Sequence, residues 1–250
     1  MPTTLTPQQV TPPETAARPT DVPQTGLRHW TREEYYRMGD MDIFDGGRVE
    51  LLDGDIWQVH ASDLYRWTGE QYHLLIEAGF FDDGRVELLG GMIWDMAGQL
   101  SLHSTGVRLV QLALEEAFPG AFEVRIQMPV TLPDGMEPEP DIAVAPGTPR
   151  DYEDHHPRPD ELLLVVEVSD SSLVKDRGPK LVSYAQALIP EYWLLNLADR
   201  QLEVYRQPTP GGIYAHFRVY RSGDSVAPLS APNQPVAVAD LLPTEPKQNL

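Results

Sequence analysis

The segment LLLVVEVSDSS at positions 162–172 constrains the fold more than any other stretch of the chain. Its consecutive Leu and Val residues follow a Pro-rich, charged loop and end in Ser and Asp, a pattern that predicts a strand buried within a sheet. Glu167 interrupts the apolar run near its end. Because a carboxylate buried alone is costly or takes up a proton, Glu167 requires a partner, either a Lys or Arg side chain or a metal ion.

The neighbouring segments predict further strands and two helices. Alternating residues in FEVRIQMPVTL and short apolar runs in DIAVA, EYWLLNL and QLEVYRQ indicate strands. Helical spacing of apolar residues at 101–118, and from Pro179 to Pro190, indicates helices. Strands flanked by helices at both ends of the chain predict a mixed α/β fold, in which one mixed sheet packs between helices.

An ungapped repeat lies near the N-terminus, where residues 30–57 recur as residues 67–94 and both copies contain RVELL. Each copy predicts a short helix, capped by Thr31 or Thr68, followed by a hairpin, and we interpret the repeat as a duplication of this unit. We interpret the tryptophan at each end of each copy as a core or interface anchor. The first copy is interpreted as an added structural layer or a dimer arm.

Composition excludes several classes of protein. The absence of cysteine excludes disulfides and thiolate metal sites, and a cytoplasmic location is expected. No apolar run approaches the roughly 20 residues of a membrane helix. Residues 1–26, rich in Pro and Thr, are predicted to be a disordered tail, and residues 244–250 a frayed end. With 19 basic and 38 acidic residues, the net charge of −19 argues against non-specific binding of nucleic acid.

Three acidic residues lie in or beside predicted strands: Glu87 in RVELL, Asp141 in PEPDIAV and Glu167 in VVEVS. If their side chains converge at one edge of a sheet, a shared divalent cation would remove the penalty of burying them together. Oxygen ligands in a chain without cysteine favour Mg²⁺ or Mn²⁺ over a structural zinc ion. Convergence of these acids would therefore be explained by a hard divalent metal ion, and the alternative for Glu167 is a buried ion pair with Lys180 or an arginine.

Lys180 is a candidate fourth member of this site. It follows Pro179 at the predicted start of a helix, where the helix dipole disfavours a cation, so it is expected to meet an acidic centre or a phosphate. The alternative is a solvated lysine. His103, at the start of another predicted helix, is expected to border the site at most. The run DHH at 154–156 lacks a third spaced ligand, which disfavours a zinc site there.

Several segments together resemble one protein family. PEPDIAV, LLLVVEVSDSS and KDRGPKLVSYAQALIPEYWLLNLADRQLEVYR, with GRVELLGGMIWDM and LHS upstream, resemble the Uma-two family of the PD-(D/E)XK superfamily of restriction-endonuclease-like nucleases. The resemblance covers residues 67–243 and is most specific at 138–206. It implies a restriction-endonuclease-like domain at 65–243, with the second repeat copy in the family's usual place and an extra helix-hairpin copy at 27–64.

The resemblance also implies a catalytic site. Asp141 matches the acidic residue of the PD pair and Glu167 matches the (D/E) position, so both are implied ligands of the catalytic metal, with the carbonyl of Val168 as a third. Ser169 stands where the motif has its lysine, and Lys180 on the following helix matches the residue that replaces it. Glu87 matches the acidic residue of the opening hairpin and would complete the metal shell.

The implied activity is hydrolysis of phosphodiester bonds in nucleic acid by a metal-dependent endonuclease. Mg²⁺ or Mn²⁺ would polarise the scissile phosphate and lower the pKa of a bound water, while Lys180 would orient that water or neutralise charge on the phosphoryl oxygens. DNA is the expected substrate and a homodimer the expected assembly. The alternative is a catalytically inactive nuclease-fold protein that acts as a binding or regulatory module, with the net charge and the first copy serving protein contacts.

Overall fold

The computed structural model describes residues 26–59, 63–82, 84–96, 98, 100–120 and 122–244. The tails predicted at 1–26 and 244–250 lie outside these residues, apart from Gly26 and Thr244. None of the helices formed by the described residues has the length and apolarity that a bilayer crossing requires.

Two helix-hairpin units precede the main sheet. The first contains α1 (Arg32–Asp40), β1 (Val49–Leu52) and β2 (Asp55–Gln58), and the second, after β3 (Asp63–Leu64), contains α2 (Gly69–Glu77), β4 (Val86–Leu89) and β5 (Met92–Asp95). The elements that follow are α3 (Ser101–Ala117), β6 (Phe122–Ile126), β7 (Ile142–Pro146), β8 (Leu164–Ser169), α4 (Leu173–Lys175), α5 (Leu181–Gln186), β9 (Glu191–Asn196), β10 (Gln201–Thr209), β11 (Ile213–Arg221), β12 (Ser225–Val226), β13 (Val236–Ala237) and α6 (Val238–Leu241).

Both helices of the N-terminal units begin where the sequence predicts. Thr31 caps α1 and Thr68 caps α2, and in each case the third helical residue bonds back to the backbone of the cap to complete a capping box. In both hairpins the first residue of one four-residue strand lies opposite the last residue of the other. The two segments fold alike, and their origin by duplication stays a prediction.

A six-stranded sheet in the order β11-β10-β9-β8-β7-β6 forms the centre of the fold. β8 and β9 are parallel, whereas the other neighbouring strands are antiparallel, so the sheet is mixed. All six residues of β8 are buried, as the apolar run predicts. Because parallel neighbours require a crossover, the chain passes through α4 and α5 before it returns as β9.

Strand alternation assigns successive residues of β8 to opposite faces of the sheet. Val166 and Val168 belong to the core that includes Val110 of α3. Val165 belongs to the core on the other face, which includes Tyr184 of α5. Glu167 therefore points to the face covered by α5, and the groups of that segment become its partners.

Candidate active site

Asp141 and Glu167 lie side by side at the ends of adjacent strands. Asp141 immediately precedes β7, and Ile142 pairs with Val166 of β8. The backbone N–H of Asp141 donates to Oε2 of Glu167 at 3.4 Å, and the N–H of Val168 donates to Oδ2 of Asp141 at 2.8 Å. Pairing of β7 with β8 thus brings together two carboxylates that are 26 residues apart in the chain.

Lys180 lies between two of the predicted site acids. Its Nζ lies 2.8 Å from Oε1 of Glu167 and 3.3 Å from Oε2 of Glu87, and it also donates to the carbonyl of Glu139 at 3.3 Å. The Lys180 side chain is only 4% exposed, which excludes the alternative of a solvated lysine. The hydroxyl of Tyr184 donates to the same Oε1 of Glu167 at 2.8 Å, so this oxygen has two donors.

A π-helical turn, Asp176–Lys180, connects α4 to α5 and orients a pair of lysines. Hydrogen bonds in a π turn link residues five apart, so residues with this spacing lie on the same side of it. Lys175 and Lys180 have this spacing, and their ammonium groups contact Oε1 and Oε2 of Glu87, at 2.8 and 3.3 Å. Glu87 is thereby held by two cations from one segment.

The prediction that Pro179 occupies the first position of a helix is wrong. The chain is already helical from Leu173, and α5 begins only at Leu181. Pro179 lies inside the π turn, next to Gly178, whose backbone angles (φ −103°, ψ −107°) depart from helical values. Because proline cannot donate a main-chain hydrogen bond and clashes with the preceding turn, the irregular turn accommodates it where a regular helix would not.

Glu87 is fully buried on β4, and both of its carboxylate oxygens have partners. Besides the two lysines, the backbone N–H of Glu139 donates to Oε2 at 3.1 Å. Burial opposes ionisation, but the ammonium groups of Lys180 and Lys175 outweigh it and hold the pKa of Glu87 below its ordinary value. The structure therefore brings Glu87 to the predicted cluster as an ionised group paired with lysines.

The buried cluster has more acids than its central lysine can neutralise. Burial, together with Asp176, Asp141 and Glu87, raises the pKa of Glu167 to about 8 in spite of Lys180. Burial opposes ionisation of Lys180, but the same four carboxylates outweigh it, hold its pKa well above the ordinary value and keep the ammonium charged. A divalent cation would relieve the repulsion that this surplus of carboxylates creates.

His103 contacts the cluster from the first turn of α3. Its Nε2 lies 3.1 Å from Oδ1 of Asp141, which also accepts from Nε2 of Gln127 at 3.1 Å. The hydrogen bond to Asp141 raises the pKa of His103 although burial opposes this, and a further hydrogen bond to the backbone of Val168 acts in the same direction. The residue that the sequence placed at the border is a direct partner of Asp141.

Gly106 explains how α3 comes close enough for this contact. It lies nearly one turn after His103, and a Cβ added to it would be 2.9 Å from Cγ1 of Val168. Real Cβ atoms essentially never approach so closely, so a residue other than glycine would require α3 or the side chain of Val168 to shift. The missing side chain therefore allows α3 to pack close to β8, where His103 contacts Asp141.

A cleft of about 450 Å³ opens over these groups. Its charged lining consists of Arg85, Asp95, His103, Glu139, Asp141, Glu167, Asp170, Lys175, Asp176 and Lys180. Acids outnumber arginine and lysine six to three among these residues. The cleft thus lacks the basic lining expected of a surface that binds phosphates by charge alone.

The available metal donors are few. Within the described ranges of the chain, no three Asp, Glu or His side chains form a cluster that could hold a metal ion, and this includes the histidines of the 154–156 run. Asp141, Glu167 and the carbonyl of Val168 remain as a set of two side chains and one main-chain oxygen. Mg²⁺ is commonly held by one or two carboxylates and keeps several waters, so these two acids are the kind of donors it uses. Their oxygens accept hydrogen bonds from protein groups, among them His103 and Lys180, which a bound ion would replace.

Comparison with known proteins identifies the family. A family model described as "Uma2: Putative restriction endonuclease" matches residues 69–239, which is more than half of the chain. The chain belongs to the Uma2 family. A crystal structure of a "putative nuclease belonging to DUF820" from Anabaena variabilis ATCC 29413 has a similar fold, with a TM-score of 0.54 and 16% sequence identity over 70% of this chain and 96% of that chain. No curated protein matches this chain.

The Uma2 match includes Glu87, Asp141, Glu167 and Lys180, and it begins at the first residue of α2. The first helix-hairpin unit therefore precedes the part of the chain that is common to the family. The fold comparison agrees with the mixed α/β architecture and its nuclease-like sheet.

Ser169, which the sequence resemblance aligns with the lysine of the PD-(D/E)XK motif, is the last residue of β8. Its hydroxyl donates to the carboxylate of Asp176, as does the hydroxyl of Ser172. Burial raises the pKa of Asp176, although Lys180 and the two serine hydroxyls oppose this. The sequence interpretation missed Asp176, and the one signal for it was its position four residues before Lys180, on the same helical segment.

Proposed function

We propose that this Uma2 protein is a divalent-metal-dependent endonuclease that hydrolyses phosphodiester bonds in nucleic acid, with DNA as its substrate. The observation that carries the proposal is the convergence of Asp141, Glu167 and Lys180 on one wall of a cleft, with Lys180 Nζ 2.8 Å from Glu167. Membership of a family described as restriction endonucleases and similarity to a nuclease fold support the same reaction class.

Asp141, Glu167 and the Val168 carbonyl would hold Mg²⁺ or Mn²⁺. When bound, the ion supplies Lewis-acid polarisation of a phosphate and a water of lowered pKa. Burial of both carboxylates excludes bulk water from their far sides, and the hydrogen bond from Val168 N–H fixes the orientation of Asp141. The strands thus supply a preorganised pair of oxygen donors at the cleft.

Lys180 would neutralise charge that develops on the phosphoryl oxygens or orient the attacking water. Lys180 is protonated before the reaction, because Glu167 and Glu87 stabilise its ammonium form and raise its pKa. Glu87 retains Lys180 through Oε2 if Glu167 turns towards a metal ion. The contacts of Glu87 therefore favour a positioning role, since direct ligation of a metal would require both ammonium groups to move away.

The second candidate function is a binding or regulatory module on an inactive nuclease fold. The observation that favours it is the acidic cleft, in which six acids face three Arg and Lys residues, in a chain of net charge −19. Such a cleft repels phosphates until cations offset its charge. Activity that depends strictly on a divalent cation is the outcome that separates the endonuclease from this alternative.

The deciding experiment incubates supercoiled plasmid and circular single-stranded DNA with the protein in Mg²⁺, Mn²⁺ or EDTA. We expect cleavage with the metals and none in EDTA. Asp141→Asn and Glu167→Gln should lose at least about 100-fold of the rate, since each removes a charged donor of the implied metal site. Glu50→Gln, at the position that matches Glu87 in the first unit, is the control and should retain wild-type activity.

Binding of Mn²⁺ measured by electron paramagnetic resonance of the free ion provides a readout that does not depend on turnover. Wild-type protein should bind Mn²⁺, and the Asp141→Asn variant should bind it much more weakly. Equal cleavage by wild type and both site variants would reject the endonuclease. Absence of cleavage together with normal folding would favour the binding module.

A further inference from the structure

The two helix-hairpin units exchange their leading segments. Leu27, which precedes α1, forms an antiparallel bridge with Trp94 of the second hairpin. Leu64, which precedes α2, pairs in the same way with Trp57 of the first hairpin. Leu27 and Leu64 are equivalent positions of the repeat, as are Trp57 and Trp94. When the segment before each helix is counted with that helix, as the repeat equivalence of Leu27 and Leu64 requires, each unit completes the sheet of the other unit rather than its own.

The hydrogen bonds of this exchange also occur in matched pairs. The N–H of Arg28 donates to the carbonyl of Ile93 at 2.9 Å, and the N–H of its counterpart Tyr65 donates to the carbonyl of Ile56 at 2.7 Å. Ile56 and Ile93 are again equivalent positions of the repeat. The contacts that the first unit makes with the second are therefore matched by equivalent contacts that the second makes with the first.

The centre of the interface is formed by one residue and its own counterpart. The rings of Trp30 and Trp67 pack with centroids 5.3 Å apart, within an apolar cluster drawn from both units. Contact between equivalent residues, with reciprocal contacts around it, is the defining feature of an isologous interface about a two-fold axis. In most proteins such an interface joins two separate subunits.

We propose that the first unit takes the place of a second subunit, so that the chain contains an internal version of a two-fold dimer interface. Two chains with one helix-hairpin unit each would pair through this surface. In this chain the two units bury it against each other. The homodimer implied by the family resemblance is then unnecessary at this face, because each chain supplies both halves of the contact.

The symmetry of the two units ends at their outer faces. Glu87 and Leu89 of the second hairpin are buried, at 0% and 1% exposure, and Leu88 between them bridges Glu137 of the nuclease domain. The equivalent positions of the first hairpin, Glu50 and Leu52, are exposed, with Leu52 at 49%. The first unit therefore has the pairing surface of a subunit without the nuclease core that covers the second unit.

The consequence for activity rests on the proposed function. A symmetric dimer would contain two metal centres, whereas a monomer of this chain would contain one. One centre cuts one strand in each encounter, so the expected first product from duplex DNA is a nick. Linear DNA should appear only after independent nicks accumulate on opposite strands.

The first test is the mass of the full-length wild-type protein in solution, measured by multi-angle light scattering over a range of concentrations. A mass that matches the 28.0 kDa chain is expected. A stable dimer overturns the inference of one centre in each particle, whatever the protein does to DNA, and the next test decides whether the two units pair within one chain.

The second test uses the absence of native cysteine. Leu27→Cys with Trp94→Cys places a thiol pair at bridge partners that lie on different units, where cross-strand distances allow a disulfide. Oxidation should give a disulfide within one chain. The matched control is Trp57→Cys with Leu64→Cys, whose positions are close in sequence and link within one chain in any assembly. A disulfide between chains in the first variant, but not in the control, overturns the inference.

The third test follows supercoiled plasmid over time in Mn²⁺. Open circles should accumulate before any linear product. Linear product formed at the same rate as open circles would contradict the single centre. If no cleavage occurs at all, the endonuclease proposal fails, but the mass and the disulfide pattern still decide the internal pairing.

Discussion

Lys180 reaches Glu167 from the helical segment that follows the strand of Glu167, and their Nζ and Oε1 atoms lie 2.8 Å apart. The contact joins two fully enclosed groups, each with exposure below 5%. A buried ammonium that contacts acids in this way contributes little net stability compared with an apolar group, but its removal leaves buried acids such as Glu87 without their compensating charge. This asymmetry makes the effects of single substitutions large.

Replacement of Lys180 by methionine should destabilise the fold strongly. Glu167 and Glu87 would remain buried without their shared ammonium, and we expect the free energy of unfolding to fall by about 3–5 kcal/mol. Urea unfolding followed by tryptophan fluorescence measures this. Lys175→Met is the matched control, because it removes the more exposed of the two lysines that contact Glu87, and its loss should be clearly smaller. Equal losses would show that the burial of Lys180 is not what matters.

Glu87 and Glu50 provide a second comparison at equivalent positions of the two units. Glu87→Gln removes a buried charge that two lysines need, and should cost about 2–4 kcal/mol. Glu50→Gln changes an exposed side chain and should stay within about 0.5 kcal/mol of wild type. Thermal unfolding of both variants tests this, and similar melting temperatures would contradict the unequal environments of the two hairpins.

Divalent metal should stabilise the protein in the absence of nucleic acid. Because an ion that binds only the folded state stabilises it by mass action, a concentration 100 times the dissociation constant should add about 2.7 kcal/mol. Calorimetric melting with Mg²⁺ or Mn²⁺, against EDTA, measures the shift. Asp141→Asn should abolish most of it, whereas Asp95→Asn, at a half-exposed acid of the same cleft, should not. An unchanged shift in Asp141→Asn would place the ion elsewhere.

The pair of Glu203 and Arg177 should give stability that depends on pH. Burial opposes ionisation of Glu203, but hydrogen bonds from Arg177, Tyr205 and Gln201 outweigh it and lower its pKa. A lowered pKa in the folded state means that the stabilisation is complete above the ordinary pKa of about 4.5 and is lost as pH falls through the folded value.

We therefore expect Glu203→Gln to lower the free energy of unfolding at pH 7 by about 1 kcal/mol, a modest value because Arg177 is 40% exposed and screened by solvent. The difference from wild type should shrink as pH falls below about 4.5. Urea unfolding of both proteins at a series of pH values from about 3 to about 7 measures this difference. Glu153→Gln, at an exposed acid, is the control and should show no such trend.

The mixed α/β fold was predictable from sequence because its strands and helices depend on local patterns, whereas convergence of the acids was an implication of the family resemblance. The apolar run that contains Glu167 identifies a buried strand from composition alone. The caps Thr31 and Thr68 are readable because a capping box uses residues close in sequence. Strand pairing then brings Asp141 beside Glu167, since the segments that contain them form neighbouring strands.

Other parts of the site depend on contacts that no local pattern encodes. No sequence pattern distinguished a π turn from an α turn at this segment, so the contact of both Lys175 and Lys180 with Glu87 was not predicted. Lys180 was chosen on two grounds: the family resemblance, and a helix start at Pro179 that the structure does not have. His103 was placed near the site, but its contact with Asp141 depends on how closely a helix packs on a distant strand.

The packing of α3 through Gly106 has a consequence for any attempt to redesign this protein. A single methyl group at that position would lie 2.9 Å from Cγ1 of Val168, and a shift of α3 that relieved this contact would change the distance between the imidazole of His103 and the carboxylate of Asp141. The distance from His103 to Asp141 therefore depends on Gly106, a residue that has no side chain. Engineering of this region should treat the thickness of the interlayer gap as an adjustable dimension in its own right.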